Sequence, residues 1–166
     1  MDSSDAGAGT DATDFSAIYQ AHARDVHRFA LFLSGDPVLA DDLTSETFIR
    51  MWNARARVDL TTVKAYLFAI VRNLYLQDRR HAGRTAALDE QMSDPRPGAD
   101  ARAGARDELR AVLAALQALP EVDRSAVIMR ADGAMPYQEI ARALGISEGA
   151  AKVKVHRARV KLAKVR

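Results

Sequence analysis

The residues best suited to chemistry lie near the end of the chain, where cations recur without carboxylates. From Lys152 onward there are seven lysine and arginine residues and no aspartate or glutamate. Apolar residues recur through this segment at helical spacing, at Ala151, Val155, Ala158 and Leu162, so the cations are expected on the opposite face of a helix. Ammonium and guanidinium groups bind phosphates and guanine edges, so the segment favours DNA binding over catalysis.

The preceding residues have the pattern of a helix-turn-helix motif. Pro136 suits a first helical turn, Gly145 permits the left-handed residue that ends a helix, and Ser147 can cap the next one. A solvated cationic helix in an ordinary bundle is the alternative, but cap, glycine and charge all agree with DNA binding. The predicted DNA-binding residues here are Ser147, Glu148, Ala150, Lys152, Val153, Lys154, Arg157 and Arg159.

A second, acidic feature lies in the first half of the chain. One predicted helix carries Asp42, Ser45 and Glu46 on a face that also holds Ile49. Such a face repels DNA and suits a protein partner, although a solvated helix face is the alternative. A hydrolase with paired carboxylates is a rival interpretation, but Asp41, Asp42 and Glu46 have no histidine or lysine base beside them. We therefore expect no enzyme activity.

Composition excludes several classes of protein. The chain has 166 residues and no cysteine, which excludes disulfides, a thiol nucleophile and zinc sites built on thiolates. The four histidines lack metal-ligand spacing, so no cofactor or metal is expected. No apolar run approaches the ~18 residues of a membrane span, and the N-terminus lacks signal-peptide features. A cytoplasmic protein without membrane insertion is expected.

The elements that must position these residues are predicted to be helices in two small domains. Hydrophobic residues form 48% of the chain and aromatics only 6%, a composition that favours an all-α fold. The formal net charge of +2 combines two basic regions with two acidic ones. The predicted divisions are a disordered tail at 1–13, a helical bundle at 14–84 beginning at the cap Asp14, a flexible linker at 85–107, and four helices at 108–166.

The predicted linker contains two prolines and two glycines and has no apolar periodicity. Its end-to-end distance as a flexible chain is roughly 25 Å, and full extension reaches about 75 Å. The sequence therefore predicts two independently placed modules.

Three segments, in this order, resemble bacterial RNA polymerase sigma factors of the sigma-70 type, in the extracytoplasmic-function (ECF) group. Residues 40–52, ADDLTSETFIRMW, resemble the helix that docks on the polymerase clamp. Residues 63–80, VKAYLFAIVRNLYLQDRR, resemble the helix that lies against the minus-ten DNA. Residues 133–159, GAMPYQEIARALGISEGAAKVKVHRAR, resemble the helix-turn-helix that reads the minus-thirty-five element.

The resemblance implies that 14–84 is sigma region 2 and that 108–166 is sigma region 4. It implies partners: core RNA polymerase, through the clamp and flap regions of its large subunits, promoter DNA and an anti-sigma factor. Polymerase binding is then assigned to Asp42, Ser45, Glu46 and Ile49. Minus-ten binding is assigned to Asn53, Arg55, Arg57, Arg72, Asn73, Gln77, Arg79 and Arg80, and the eight residues above bind the minus-thirty-five element.

Two further expectations complete the prediction. Trp52 is assigned to the core, because aromatics at helical spacing usually pack there. The family often has Thr-Val and Ser-Arg-Leu where this chain has Ala150-Ala151 and Val153-Lys154-Val155, so no base preference is carried over. A dimeric helix-turn-helix repressor is the alternative function. It would need a dimerising first domain, whereas residues 15–84 offer an acidic docking face.

Overall fold

The computed structural model describes residues 6–54, 63–86 and 103–165, and every regular element within these ranges is an α-helix. The predicted all-α class is therefore confirmed. None of the described helices is both long and apolar enough to cross a membrane. The helices are α1 (Ala6–Ser34), α2 (Pro37–Asn53), α3 (Val63–Ala86), α4 (Ala103–Gln117), α5 (Glu121–Ala131), α6 (Tyr137–Leu144) and α7 (Glu148–Ala163). We call α1–α3 the first module and α4–α7 the second module.

Three helix ends differ from the sequence prediction. Helix α1 begins at Ala6 instead of Asp14, because alanines within 6–13 favour helix despite the intervening glycines. Helix α3 continues to Ala86 and α4 begins at Ala103, so both ends of the predicted linker are helical. The rest of that linker, 87–102, lies outside the described residues, as do residues 1–5 of the predicted tail.

The turn between α1 and α2 depends on residues with special backbone properties. Gly35 adopts φ 69°, a left-handed conformation that favours glycine. The Asp36 carboxylate then caps α2 by accepting hydrogen bonds from the backbone N–H groups of Val38 at 2.9 Å and Leu39 at 3.3 Å. Pro37 fills the first helical position, where a missing N–H has no cost. This tight turn packs α2 back along α1.

The helix-turn-helix prediction is confirmed in its geometry. Gly145 ends α6 with φ 66°, and the Ser147 hydroxyl accepts a hydrogen bond from the Ala150 N–H at 3.1 Å to cap α7. The predicted core residues of both helices are buried, apart from Leu162, which is partly buried. The buried residues are Ile140, Ala141, Leu144, Ala151, Val155 and Ala158.

The two modules share one hydrophobic core, in contrast to the predicted independent placement. Helix α5 packs on α1, and α6 packs on α3. Phe68 stacks on Phe29 with ring centroids 4.4 Å apart, and its ring edge lies against Gly133 of the second module. A Cβ added to Gly133 would lie 3.1 Å from Phe68, so only glycine fits this approach. Each module has an apolar face, and packing the two faces together removes both from water.

Candidate functional site

The outward face of α7 carries most of the side chains predicted to meet the minus-thirty-five element. Ser147, Glu148, Lys152 and Arg159 are exposed, and Ala150 is partly buried. Val153 is 59% exposed, which makes it an unpartnered apolar contact suited to a thymine methyl. Lys152 lies 3.5 Å from Glu148 one turn earlier, an exposed pair of little stability that leaves the cation available.

Arg157 and Lys154 of α7 both lie against a carboxylate of α5. Arg157 donates from Nε and Nη2 to the two carboxylate oxygens of Asp123 at 2.8 and 3.0 Å, and Lys154 Nζ lies 3.8 Å from the same carboxylate. The hydrogen bonds and charge of Asp123 raise the pKa of Arg157. Because this pair joins α7 to α5, Arg157 braces α7 while its side chain stays 49% exposed, and its assignment to DNA stays a prediction.

Asp123 itself was missed by the sequence analysis. It is only 1% exposed, yet a carboxylate is rarely buried unless it is paired. Helical spacing could have identified it, because it lies three and four residues before Ala126 and Val127 and so shares their buried face.

A second contact that supports α7 is aromatic. The guanidinium of Arg130 lies 4.4 Å from the Tyr137 ring centroid, and Lys152 Nζ lies 5.8 Å from it. Cations over a ring face are attracted by its negative charge density. Tyr137 therefore links α5, α6 and α7 at the edge of the outward face of α7, a role that sequence spacing did not indicate.

The acidic face of α2 is exposed as predicted. Asp42, Ser45 and Glu46 are exposed in the turns of α2 that precede Ile49, which is 54% exposed. Glu46 pairs with Arg50 at 3.3 Å, one turn further along the helix. An exposed aliphatic side chain among carboxylates gives this face a small apolar centre with a polar rim, the usual anatomy of a protein interface.

An aromatic groove borders this acidic face. Phe15 packs edge-on against Trp52 with centroids 4.9 Å apart, and Tyr19 packs against Phe48 at 4.8 Å. Ile49 lines the same groove. Trp52 is only partly buried, so its assignment to the core is corrected: it lies at the border of the core, beside the acidic face of α2. The groove extends the apolar centre beyond the single aliphatic side chain predicted.

On α3 the structure separates Arg72 from the other predicted minus-ten residues. Asn73, Gln77, Arg79 and Arg80 are exposed. Arg72 is 14% exposed and donates from Nε and Nη2 to the Glu121 carboxylate at 2.6 and 3.0 Å.

The second module thus covers Arg72 in this conformation, and its assignment to minus-ten DNA stays a prediction. Of the loop residues in the same prediction, Asn53 is exposed at the end of α2, whereas Arg55 and Arg57 lie outside the described residues.

The pKa of Glu121 reflects this pairing. Burial alone raises the pKa, but hydrogen bonds from Arg72 and Ser125 and the positive charges of Arg72 and Arg124 outweigh it. The result is a pKa below the ordinary value. Glu121 is therefore held as a carboxylate at the module interface.

Histidines and carboxylates form no metal site in the described ranges, where no group of three or more potential ligands comes together. His27 lies 2.8 Å from Asp41, both on the exposed surface. Burial and the charge of Lys64 lower the pKa of His22, which favours a neutral packing role.

Comparisons with known proteins identify a family for both modules. The family model for sigma-70 region 2 matches residues 18–85, and the model for sigma-70, region 4 matches residues 109–162. The ECF RNA polymerase sigma factor SigE of Mycolicibacterium smegmatis is 35% identical over 87% of this chain, which spans 58% of that protein. SigM of Bacillus subtilis, also an ECF RNA polymerase sigma factor, is 31% identical over 87% of this chain and 90% of its own.

Two solved structures are similar over nearly the whole chain. One is the sigma factor RpoE of Bartonella quintana in complex with the anti-sigma factor NepR. It has a TM-score of 0.79 and 27% identity, and the match covers 92% of this chain and 96% of that one. The other is CnrH in complex with the cytosolic domain of CnrY, with a TM-score of 0.66 and 25% identity over 90% of this chain and 85% of that one.

Proposed function

Because the chain belongs to the ECF group of sigma-70 RNA polymerase sigma factors, we propose which of its surfaces carry each step of promoter-specific initiation. The acidic face of α2, with Asp42, Ser45, Glu46 and Ile49, docks on the polymerase clamp. The exposed face of α3 meets the minus-ten element, and the outward face of α7 meets the minus-thirty-five element. The second module also contacts the flap region. These roles are regulatory and need no cofactor and no reaction catalysed by this chain.

The observation that carries this assignment is the charge separation between helices. The face of α2 is acidic around an exposed Ile49, while the exposed face of α7 is cationic around an exposed Val153. An acidic surface repels DNA and attracts a basic protein surface, and a cationic one does the reverse. The molecule thus presents one helix suited to a protein and another suited to nucleic acid, as a factor that brings polymerase to a promoter requires.

Further partners follow from the same premise. The similar structures of RpoE and CnrH contain NepR and the cytosolic domain of CnrY. Their likeness over nearly the whole chain supports an anti-sigma partner that covers the docking surfaces here. Polymerase and promoter are in the cytoplasm, so we place the chain there as well.

Co-elution with sigma-free core polymerase in size-exclusion chromatography tests the docking face. The wild-type chain is expected to join the core, and Glu46→Lys or Ile49→Glu is expected to abolish this. Glu108→Lys and Val160→Glu are the matched controls, because they make the same kinds of change at exposed positions of α4 and α7. These two variants should still co-elute.

The contrary result is equally specific. If the wild-type chain never joins the core but binds duplex DNA as a dimer by light scattering, the repressor interpretation replaces this proposal. Loss of co-elution in the control variants as severe as in Glu46→Lys would instead remove α2 as the docking face.

A further inference from the structure

A buried carboxylate of α5 holds two cations of α7. Asp123 lies in the first turn of α5 and is 1% exposed. It accepts hydrogen bonds from Arg157 Nε at 2.8 Å and Nη2 at 3.0 Å, and Lys154 Nζ lies 3.8 Å from it. Burial of a carboxylate requires such pairing, and the first turn of a helix also favours negative charge. Asp123 is therefore a fixed anion against the inner side of α7.

Helix α5 is a rigid support for this carboxylate. Every residue from 123 to 129 is buried, and the helix packs on α1, α6 and α7. Arg124, the next residue along, donates to backbone carbonyl oxygens in both modules. Polar groups are positioned most precisely on elements that their own neighbours hold in place. The protein core therefore fixes Asp123, and through it one edge of the Arg157 guanidinium.

The opposite edge of that guanidinium stays open. Arginine has five N–H groups, and Asp123 takes one from Nε and one from Nη2. The other three are on Nη1 and Nη2, and none of them donates to another residue in the described part of the chain. The Arg157 side chain is 49% exposed. One N–H from each terminal nitrogen forms a fork that matches the O6 and N7 acceptors of guanine.

This open edge belongs to the outward face of α7. Val153 is 59% exposed and lies one turn before Arg157, so the two residues are neighbours on the helix surface. Helical side chains lean toward the N-terminus, which brings Arg157 toward Val153. An apolar contact suited to a thymine methyl and a fork suited to guanine are therefore side by side.

We propose that Asp123 is a positioning residue for reading DNA sequence: by holding one edge of Arg157 it directs the other edge to a guanine of the minus-thirty-five element. This inference rests on the proposed function, since it takes the outward face of α7 to meet that element. Without Asp123, the long side chain loses rotamer freedom on binding DNA and reaches the phosphates of any sequence equally well. Asp123 thus contributes discrimination between sequences more than overall affinity.

The first test measures the position of Arg157 in the free, full-length chain. Nitrogen-15 magnetic resonance follows exchange of the Arg157 Nε–H with water, and loss of the signal in Arg157→Lys assigns it. A hydrogen bond to Asp123 protects this proton, so Asp123→Asn should speed its exchange about ten-fold. Glu108→Gln, an exposed change on α4 that also removes one negative charge, is the control and should leave the exchange rate unchanged.

The second test measures sequence discrimination. Selection by the full chain, alone and with core polymerase, from DNA duplexes with a randomised central segment gives a preferred duplex. Discrimination is the ratio of affinities for this duplex and for a mixed-sequence duplex. Asp123→Asn should lower the ratio about ten-fold relative to Glu108→Gln, the value of one bidentate base contact. The two variants should bind the mixed-sequence duplex within about two-fold of each other, because both lose one negative charge.

The base whose preference is lost identifies the side chain that Asp123 acts through. Asp123→Asn should remove a preference for guanine at one or two neighbouring base pairs and leave the other positions unchanged. Arg157→Lys keeps the charge but removes the fork, so it should cause the same loss. Adding Asp123→Asn to Arg157→Lys should cause no further loss. Since Arg157→Lys leaves Asp123 beside a cation, it remains informative if Asp123→Asn is unstable.

The outcomes separate this inference from the proposed function. If Asp123→Asn keeps the discrimination of the control, or weakens binding to both duplexes alike, Asp123 does not position Arg157 for DNA, whether or not the chain joins polymerase. If discrimination falls as expected but the wild-type chain never joins core polymerase, the positioning role stands and the proposed function fails. A wild-type chain that selects no sequence overturns both. Circular dichroism of each variant checks that the helices are intact.

Discussion

Arg124 on α5 donates a 2.7 Å hydrogen bond to the backbone carbonyl of Leu33, at the end of α1. The last carbonyls of a helix have no partner within the helix, so a donor from another element must satisfy them when they are buried. The same guanidinium also donates to the carbonyls of Leu116 and Leu119 and to the Tyr75 hydroxyl. A single side chain that is 6% exposed therefore caps helices of both modules.

Arg124→Met should destabilise the fold by roughly 3 kcal/mol, because it leaves several buried acceptors without a donor. Urea denaturation followed by circular dichroism measures the loss. Arg110→Met on the exposed face of α4 is the control and should change stability by less than about 0.5 kcal/mol. Equal stabilities for the two variants would show that the buried hydrogen bonds contribute nothing net.

Two glycines near the helix-turn-helix should respond to alanine with opposite signs. Gly145 has φ 66°, so Gly145→Ala should destabilise the fold by about 1 kcal/mol, although its Cβ would meet nothing within 4 Å. Gly149 lies in the first turn of α7 with open space around it, so Gly149→Ala should stabilise the fold by about 0.5 kcal/mol. Thermal denaturation measures both, and a stabilising Gly145→Ala would contradict the left-handed turn.

Gly133→Ala should disturb the contact between the modules. An added Cβ would lie 2.7 Å from the Met129 carbonyl oxygen and 3.1 Å from the Phe68 ring, so the backbone or the ring must move. Overpacking of this kind lowers the free energy of unfolding by roughly 1–3 kcal/mol. With spin labels on Ala21→Cys of α1 and Ala114→Cys of α4, the distribution of distances between the modules should broaden in this variant. Gly104→Ala, which meets nothing within 4 Å, is the control and should leave the distance unchanged.

Acid should weaken the interface through Glu121. Its pKa in the folded protein is lower than in the unfolded chain, where it is near 4.5, so its stabilising effect is complete above that pH. The effect is lost as the pH falls through the lower, folded value. The difference in unfolding free energy between wild type and Glu121→Gln should therefore be constant from pH 7 to 5 and shrink below 4.5. A difference that grows on acidification would show that the pKa is raised instead.

The sequence predicted those parts of the fold that depend on local signals. Pro37, Gly145 and Ser147 define helix ends through backbone geometry and capping, which act over a few residues. The apolar spacing of α7 likewise identified its buried face. The start of α1 was missed because alanines extend a helix without an explicit stop or start residue.

The contacts between modules could not be predicted in this way. Arg72 and Glu121 are 49 positions apart, and each looks like an ordinary surface charge on its own helix. Arg124 also looks like an ordinary surface charge in the sequence, and only the fold brings the end of α1 to it. Nothing in helical periodicity relates two modules across a linker, so the pairing of Arg72 with Glu121 was not predicted.

The order of the helices along the chain determines when the shared core can form during synthesis. Helices α1–α3 are synthesised before α5 and α6, and the roughly 35 residues from the end of α3 to Glu121 take about 2–7 s to translate. During that interval Phe68 has no Gly133 to pack against, and Arg72 has no Glu121. Each newborn chain thus passes through a short period in which its first module is uncovered at the ribosome, before the second module closes over it.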